Sequence, residues 1–461
     1  MKLFNLGGKV HRHNWRMYVG LSLRNPRKTG TPAPPRLGEF LVGMAARLAP
    51  FALLLTAACL AQNALQPRTV SWREAQDQFR ANNLELLAGK VTIDEARADE
   101  TTAFLRPNPN LTLGWDQLTP FHSDPYQPVA QSYLFWSLDY LHERQHKREL
   151  RLASAQKQTA ITAQAQVDLE RNLMFNLRDA FVRVMQAKAV ASLAKENLDY
   201  YDKVLAINKD RFNAGAIARV DFDRLELQRV QYESDLATAQ VNVRTAKIDL
   251  QALLRDKTPV DQFDVADKFD FQEPLTTIEE LRAFARDNRP DLRQAALALE
   301  KARTDHQLAV ANGSTDPTFG IDFAHQPKPL NSYMGFSINF PLRIFDKNQG
   351  EKLHTQLDIG RNERLRDAAD VAVVHDVDSA YATLQGAIAI LRPYRSKYLK
   401  QADNVRTTIA FSYEHGAASL LDFLDAQSQY RSTQLSYLNM IGACLSAANQ
   451  VNFAVGSEVI R

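Results

Sequence analysis

The sequence predicts a mainly α-helical chain with a small β part, built as a tandem duplication of long helices with two β-strands in each copy. Three observations carry this. Amphipathic stretches without Pro or Gly run too long for a globular core. Four short segments alternate apolar and polar residues, and landmark motifs recur in the same order about 200 residues apart.

The chain has 461 residues, 45% of them hydrophobic and 24% charged, enough for several domains. Its 18 glycines and 19 prolines are too few for a collagen-like or low-complexity design. Two cysteines, Cys59 and Cys444, cannot form a disulfide framework, and neither has zinc-ligand spacing. A mean hydropathy of −0.35 argues against a polytopic helical membrane protein but leaves a β-barrel open.

Charge separates the start of the chain from the rest. Residues 1–61 hold nine Lys or Arg and one acid, Glu39, leaving 47 basic and 52 acidic residues and a net −5 beyond them. The basic pI therefore comes from the leader, and no basic patch speaks for nucleic acid. Residues 44–61, MAARLAPFALLLTAACLA, follow the charge, apolar run and small-residue order of a signal peptide. The apolar run is far shorter than a membrane-spanning helix requires. Residues 1–43 precede a second start at Met44 and read as a non-native or disordered extension. Cleavage after Ala61 and lipidation of Cys59 within Leu55-Thr-Ala-Ala-Cys59 are both compatible with the residues. Either way the mature chain leaves the cytoplasm.

The first repeat is placed at 62–256 and the second at 277–461, with a linker at 257–276. Val70-Ser-Trp-Arg-Glu-Ala-Gln and Asn82-Asn-Leu-Glu-Leu86 correspond to Thr277-Ile-Glu-Glu-Leu and Asn288-Arg-Pro-Asp-Leu292, an offset of 206. Pro109–Trp115 corresponds to Pro317–Phe323, and Ser132–Leu138 to Ser332–Ile338. Phe212-Asn-Ala-Gly215 with Val220-Asp-Phe222 corresponds to Tyr413-Glu-His-Gly416 with Leu421-Asp-Phe423, an offset of 201. Each half reads helix, two strands, long helix, turn, long helix.

The first long helix is expected from about Glu143 to Asn213, with Leu169, Leu173, Leu177, Phe181 and Met185 every four residues. Roughly 70 residues at 1.5 Å each give about 100 Å. Its partner, from about Asp221 to Leu254, carries the heptad series Leu225, Tyr232, Ala239, Ala246, Leu253 interleaved with Leu236, Val243 and Leu250. The second copy places these helices near 346–414 and 420–455, and Pro393 should bend the first of them.

In the strands, Leu113 and Trp115 share one face, as do Leu134, Trp136 and Leu138. Phe319, Ile321 and Phe323 alternate with Gly320 and Asp322, while Phe336, Ile338 and Phe340 alternate with Gly335, Ser337 and Asn339. A soluble sheet packed on a core alternates in the same way. Trp115 and Trp136 are placed as an interfacial aromatic girdle requires. If this apolar face meets lipid, four strands cannot close a barrel, because open edges in lipid leave backbone groups unpaired. Closure then needs oligomerisation, and three chains supply twelve strands.

Arg211-Phe-Asn-Ala-Gly215 through Asp221, Tyr413 through Gly416, Ser419, Asp422, Leu424 and Ala426-Gln427 resemble the outer-membrane efflux protein (TolC-like) family. Arg106-Pro-Asn-Pro109 and Asn288-Arg-Pro-Asp-Leu292 are similar to it as well, and the resemblance spans about 68–457. It implies a homotrimer with a 12-stranded barrel in outer-membrane lipid, continued by an α-barrel across the periplasm, with the inter-repeat linker in an equatorial belt. It also implies a passive export conduit without cofactor, working with a periplasmic adaptor protein and an inner-membrane efflux pump. The adaptor would dock at the turns carrying Gly215, Asp221, Gly416, Ser419 and Asp422. Arg106–Pro109 and the run Glu143–Arg148 resemble outer-membrane subunits of heavy-metal cation efflux systems; drug and protein export stay open.

Catalysis has little support. Asp221/Asp223 and Asp422/Asp425 sit where acids complement a helix dipole or form an acidic ring at a pore mouth. His142/His146 and His11/His13 have metal-compatible spacing without a third ligand, and His122 is a lone loop histidine. No phosphate-binding, dinucleotide or nucleophile-elbow motif occurs. The alternative from another class is a secreted structural coiled-coil protein without a pore.

Overall fold

The computed structural model describes residues 68–460, apart from 119, 122–123, 127, 130–131 and 326–330. The expected extension at 1–43 and expected signal peptide at 44–61, with Cys59, His11/His13 and His122, lie outside the described residues.

The first copy opens with β1 (Arg68–Val70), α1 (Trp72–Asn82) and α2 (Leu84–Phe104). Strands β2 (Asn110–Asp116) and β3 (Tyr133–Leu141) follow, then α3 (Lys147–Asn213) and α4 (Arg219–Leu254). After β4 (Phe263–Val265) the order recurs as α5 (Ile278–Asn288), α6 (Pro290–Asn312), β5 (Thr318–His325), β6 (Ser332–Asn339), α7 (Gln349–Pro393), α8 (Leu399–Glu414) and α9 (Leu420–Val455).

The duplication extends to the caps. α1 starts with a capping box between Ser71 and Glu74, and α5 with the equivalent box between Thr277 and Glu280. The single opening helix expected in each copy is in fact two. Asn83 ends α1 in extended geometry, and its side chain accepts from the Leu86 amide to start α2. Arg289 likewise ends α5 in extended geometry but caps α6 with no side-chain acceptor; Pro290 at the first helical position keeps the preceding residue out of the α region.

Helix α3 has 67 residues, about 100 Å of continuous helix. It begins at Lys147 rather than Glu143, after Gln145 and His146 in left-handed geometry. Along α4 the heptad residues Leu225, Tyr232, Ala239 and Leu250 are buried against α3. In the second copy the long helix is interrupted: after Pro393 one π-helical turn, Tyr394–Tyr398, separates α7 from α8. Proline lacks the amide that an uninterrupted ladder needs, and the wider turn absorbs the mismatch.

The main core surrounds the middle of α3. Phe79, Leu177, Phe181, Phe263, Phe271, Leu281, Leu384 and Leu391 are fully buried there with Val451 and Val455. The linker contributes β4, which pairs in parallel with β1, Val70 facing Val265. That pair is three residues long, too short to give a periodic pattern in the sequence.

Arg289 locks this core. Only 4% exposed, its guanidinium reaches Asp291 at 2.5 Å and Asp376 on α7 at 2.7 Å. It also donates to the Ala454 carbonyl near the end of α9 at 3.3 Å. The Asn-Arg-Pro-Asp-Leu motif is thus a clamp holding three helices, with its buried charge paired on more than one side. Burial alone would raise the Asp291 pKa, but the Arg289 hydrogen bond and charge outweigh it and hold the carboxyl below its ordinary value.

Candidate functional site

Four strands form one antiparallel sheet in the order β2-β3-β5-β6. The two repeats meet at its centre, Trp136 facing Phe323 with rings stacked at 6.1 Å. Register aligns Leu113, Trp136, Phe323 and Met334 in one row, and Leu111, Leu138, Ile321 and Phe336 in the next. Tyr140, Phe319 and Ile338 form a third row, with Trp115 and Leu134 at the opposite end of the same face. Phe340 lies one step beyond β6 in this alternation.

This apolar face is bare. Leu113, Trp115, Leu134, Phe336, Ile338 and Phe340 are exposed, Phe336 at 78%, and Phe323 is half-buried. The other face carries Thr112, Ser137, Asp139, Asp322, Ser337 and Asn339, with the aromatic Tyr133, Phe135 and Tyr333 towards the loop end. A Cβ at Gly320 would come within 2.5 Å of an Asp139 carboxylate oxygen, so this glycine leaves the acid its place. The outer edges of β2 and β6 have no strand partner among the described residues.

Below the sheet, Lys147 fastens strands to helices. It is 3% exposed, pairs with Asp316 at 2.5 Å and donates to the Ser314 carbonyl at 3.0 Å. Asp316 also accepts from the Arg144 amide at 2.9 Å. A first-copy helix start is thereby tied to the segment leading into a second-copy strand.

At the far end of α3 the chain turns at Gly215, φ +74°, and the equivalent turn after α8 uses Gly416, φ +77°. Each turn closes with the same pair of amide bonds. Ala216 donates to Arg211 at 2.8 Å and Gly215 to Phe212 at 2.9 Å; Ala417 donates to Ser412 at 2.8 Å and Gly416 to Tyr413 at 3.1 Å. Behind them Phe212 stacks on Phe222 at 5.3 Å, and Tyr413 on Phe423 at 4.9 Å. Tyr201, Leu225, Tyr232, Tyr413, Leu420 and Phe423 form a second small core under both turns.

The two turns differ in their caps. Ser419 and Asp422 form a full capping box, and the Ser419 hydroxyl and amide hold the Asp422 carboxyl below its ordinary pKa. Ala218 occupies the equivalent position before Asp221 without a side-chain cap. The remaining acids are engaged locally: Asp223 with Arg219 at 2.8 Å, Asp221 with Arg224 at 3.8 Å, and Asp425 with Gln429 at 2.7 Å. His142 packs edge-on against Phe319. Among the described residues, no three His, Cys, Asp or Glu side chains stand together as a metal site needs.

The sequence reading missed the exposed apolar residues beside the turns. Val220 and Leu421, equivalent in the two copies, are both exposed. Val220 heads a second heptad phase on α4 with Leu227, Val241 and Ile248, all exposed, the position between Leu227 and Val241 being Ser234. The series was detectable as a second heptad phase, but the buried phase on the same helix dominates the pattern. No described helix is long and apolar enough to cross a membrane.

The outer membrane efflux protein family matches this chain twice, at residues 75–254 and 281–457. The cobalt-zinc-cadmium resistance protein CzcC of Cupriavidus metallidurans is 24% identical over 67% of this chain and 74% of its own length. Nodulation protein T of Rhizobium leguminosarum bv. trifolii is also 24% identical, over 83% of this chain and 84% of its own. Among solved structures, CusC, studied for transmembrane channel formation, superposes with a TM-score of 0.71 at 17% identity, over 86% of this chain and 96% of its own. The double family match falls on two copies of one helix-strand-helix plan, and the chain belongs to the outer membrane efflux protein family.

Proposed function

We propose that three copies of this chain form a passive export conduit through the outer membrane and across the periplasm, joined to an adaptor protein and driven by an inner-membrane pump. The observation that carries this reading is the four-stranded sheet with one bare apolar face and two open edges. The apolar residues face lipid, where each unpaired edge group would cost several kcal/mol, on the order of a lost buried hydrogen bond. Because β2-β3-β5-β6 alternate in direction, β6 of one copy meets β2 of the next antiparallel, and the pattern repeats around a closed ring. Three copies give twelve strands, all antiparallel. The exposed second heptad series of α4 supports closure of the helical layer in the same way.

Adaptor docking is assigned to the Gly215 and Gly416 turns with Asp221, Ser419 and Asp422, and their separation from the strands by about 100 Å of helix supports that reading. The kinship with CzcC favours divalent metal cations as the cargo. Mature protein purified in mild detergent should run as a trimer and conduct ions in planar bilayers. A strictly monomeric, non-conducting protein would remove the barrel reading. Deletion of the gene should lower tolerance to cobalt, zinc or cadmium salts; unchanged metal tolerance with altered drug tolerance would remove the metal assignment alone.

A further inference from the structure

A cleft of about 430 Å³ opens where the apolar face of the sheet ends, lined by Arg106, Tyr140, His142, Arg144, His146 and Arg148 among others. Tyr140 belongs to the last apolar row, and His142 touches Phe319 of that same row. The cleft therefore continues the bare face directly, at its helix-side rim.

Its charge is unbalanced. Glu143 also lines the cleft, but its carboxylate is held by the Arg151 fork, with both guanidinium nitrogens on it. Glu149 is taken by Arg148 at 2.9 Å, and Arg148 in turn lies over the Phe104 ring at 4.3 Å. Arg106 and Arg144 are exposed, and among the described residues neither guanidinium has an acidic partner or an acceptor. Two free planar forks beside an aromatic and an apolar wall match a phosphate carrying hydrocarbon chains: the guanidinium binds phosphate bidentately, and the strands receive the tails. The His142 ring adds a further N–H donor to the cleft, while His146 Nδ1 faces Glu149 at 4.0 Å.

We infer that this cleft binds the phosphate of an anionic phospholipid, with the acyl chains lying along Tyr140, Leu138 and Phe319. The inference rests on the membrane reading above. It identifies a lipid site at the helix-side rim of each copy's strands, separate from the pore and the tips.

The test uses full-length trimer in zwitterionic detergent, exposed to phosphatidylglycerol or phosphatidylcholine vesicles and analysed for retained lipid by native mass spectrometry. Wild type should retain phosphatidylglycerol about tenfold better than phosphatidylcholine, the order expected for two basic side chains at an anionic surface. The preference should shrink between about 50 and about 500 mM NaCl, as the screening length falls from above about 10 Å to about 4 Å. Arg106→Gln with Arg144→Gln should abolish it, whereas Arg364→Gln on α7 should not. Equal retention of both lipids by a conducting wild-type trimer overturns the inference and leaves the membrane reading standing. A wild type that neither trimerises nor conducts overturns both. If inorganic phosphate alone displaces the lipid fully at equal concentration, the cleft is a plain anion pocket and the lipid assignment fails. Should the double variant fail to assemble, the salt dependence of the wild-type preference decides; a preference insensitive to salt overturns the inference.

Discussion

The Tyr413 hydroxyl donates to Asn208 Oδ1 at 3.1 Å, a buried hydrogen bond joining the second repeat's turn to the first repeat's long helix. The Asn208 amide is used in turn on the Val204 carbonyl at 2.9 Å, which fixes its orientation. The two tips are thus held as one unit by a polar contact between residues 205 positions apart. Tyr413→Phe should keep the stack on Phe423 but strand the Asn208 oxygen, at a cost of about 1–3 kcal/mol. Hydrogen exchange should speed up at residues 199–214 and 405–425. Unchanged protection in both segments would mean that the tips are held by stacking alone.

The caps give a paired prediction. Ala218 and Ser419 share the same extended backbone, φ −72° and −77°, and each precedes an aspartate by three residues. Ser419→Ala should destabilise its helix start by about 1 kcal/mol, and Ala218→Ser should stabilise the first turn by roughly 0.5 kcal/mol or more. Thermal melts of the α-barrel should move in opposite directions. Movement in one direction for both would show that the copies are not equivalent here.

Gly215 and Gly416 have nothing within 4 Å of a Cβ, so replacement meets no clash. Positive φ alone would strain Val at each by roughly 1 kcal/mol or more. The double Val variant should still assemble as a trimer, since the strands lie about 100 Å away, yet crosslink poorly to the proposed adaptor. Normal crosslinking and export would make these turns structural punctuation only.

Arg289→Met should cost about 3 kcal/mol, because Asp291 and Asp376 lose a buried partner. Its pH dependence has a definite sign. A carboxyl held below its ordinary value, as Asp291 is, contributes stability above the unfolded pKa of about 3.9 and loses it as pH falls through the folded value. Wild type should therefore lose stability on acidification below about pH 4 more steeply than the Met variant. Parallel acid limbs would show that the clamp does not set this slope.

Neighbouring residues on β2 separate the two faces of the sheet. Leu113→Lys places a charge on the bare face and should cost about 2–4 kcal/mol near mid-membrane, reducing trimer in the outer membrane. Thr112→Lys, on the opposite face in the row of Ser137 and Asp322, should assemble normally and alter ion selectivity. Equal assembly of both would remove the assignment of the apolar face to lipid.

Helix lengths, strand alternation and the duplication were legible in the sequence, because each is written in local periodicity: 3.5 to 3.6 residues for helices, two for strands. The turns at Gly215 and Gly416 were legible for the same reason, since a left-handed position selects glycine locally. What the tertiary structure alone decided is partnership. Strand β3 lies beside β5 rather than beside a strand of its own repeat on both edges. Likewise β1 finds β4 across nearly 200 residues, Arg289 finds Asp376, and Lys147 finds Asp316. Periodicity says which face of an element is apolar, not which other face will cover it. That choice follows from packing every element at once, where burying Arg289 or Lys147 is tolerable only if a distant carboxylate arrives beside it.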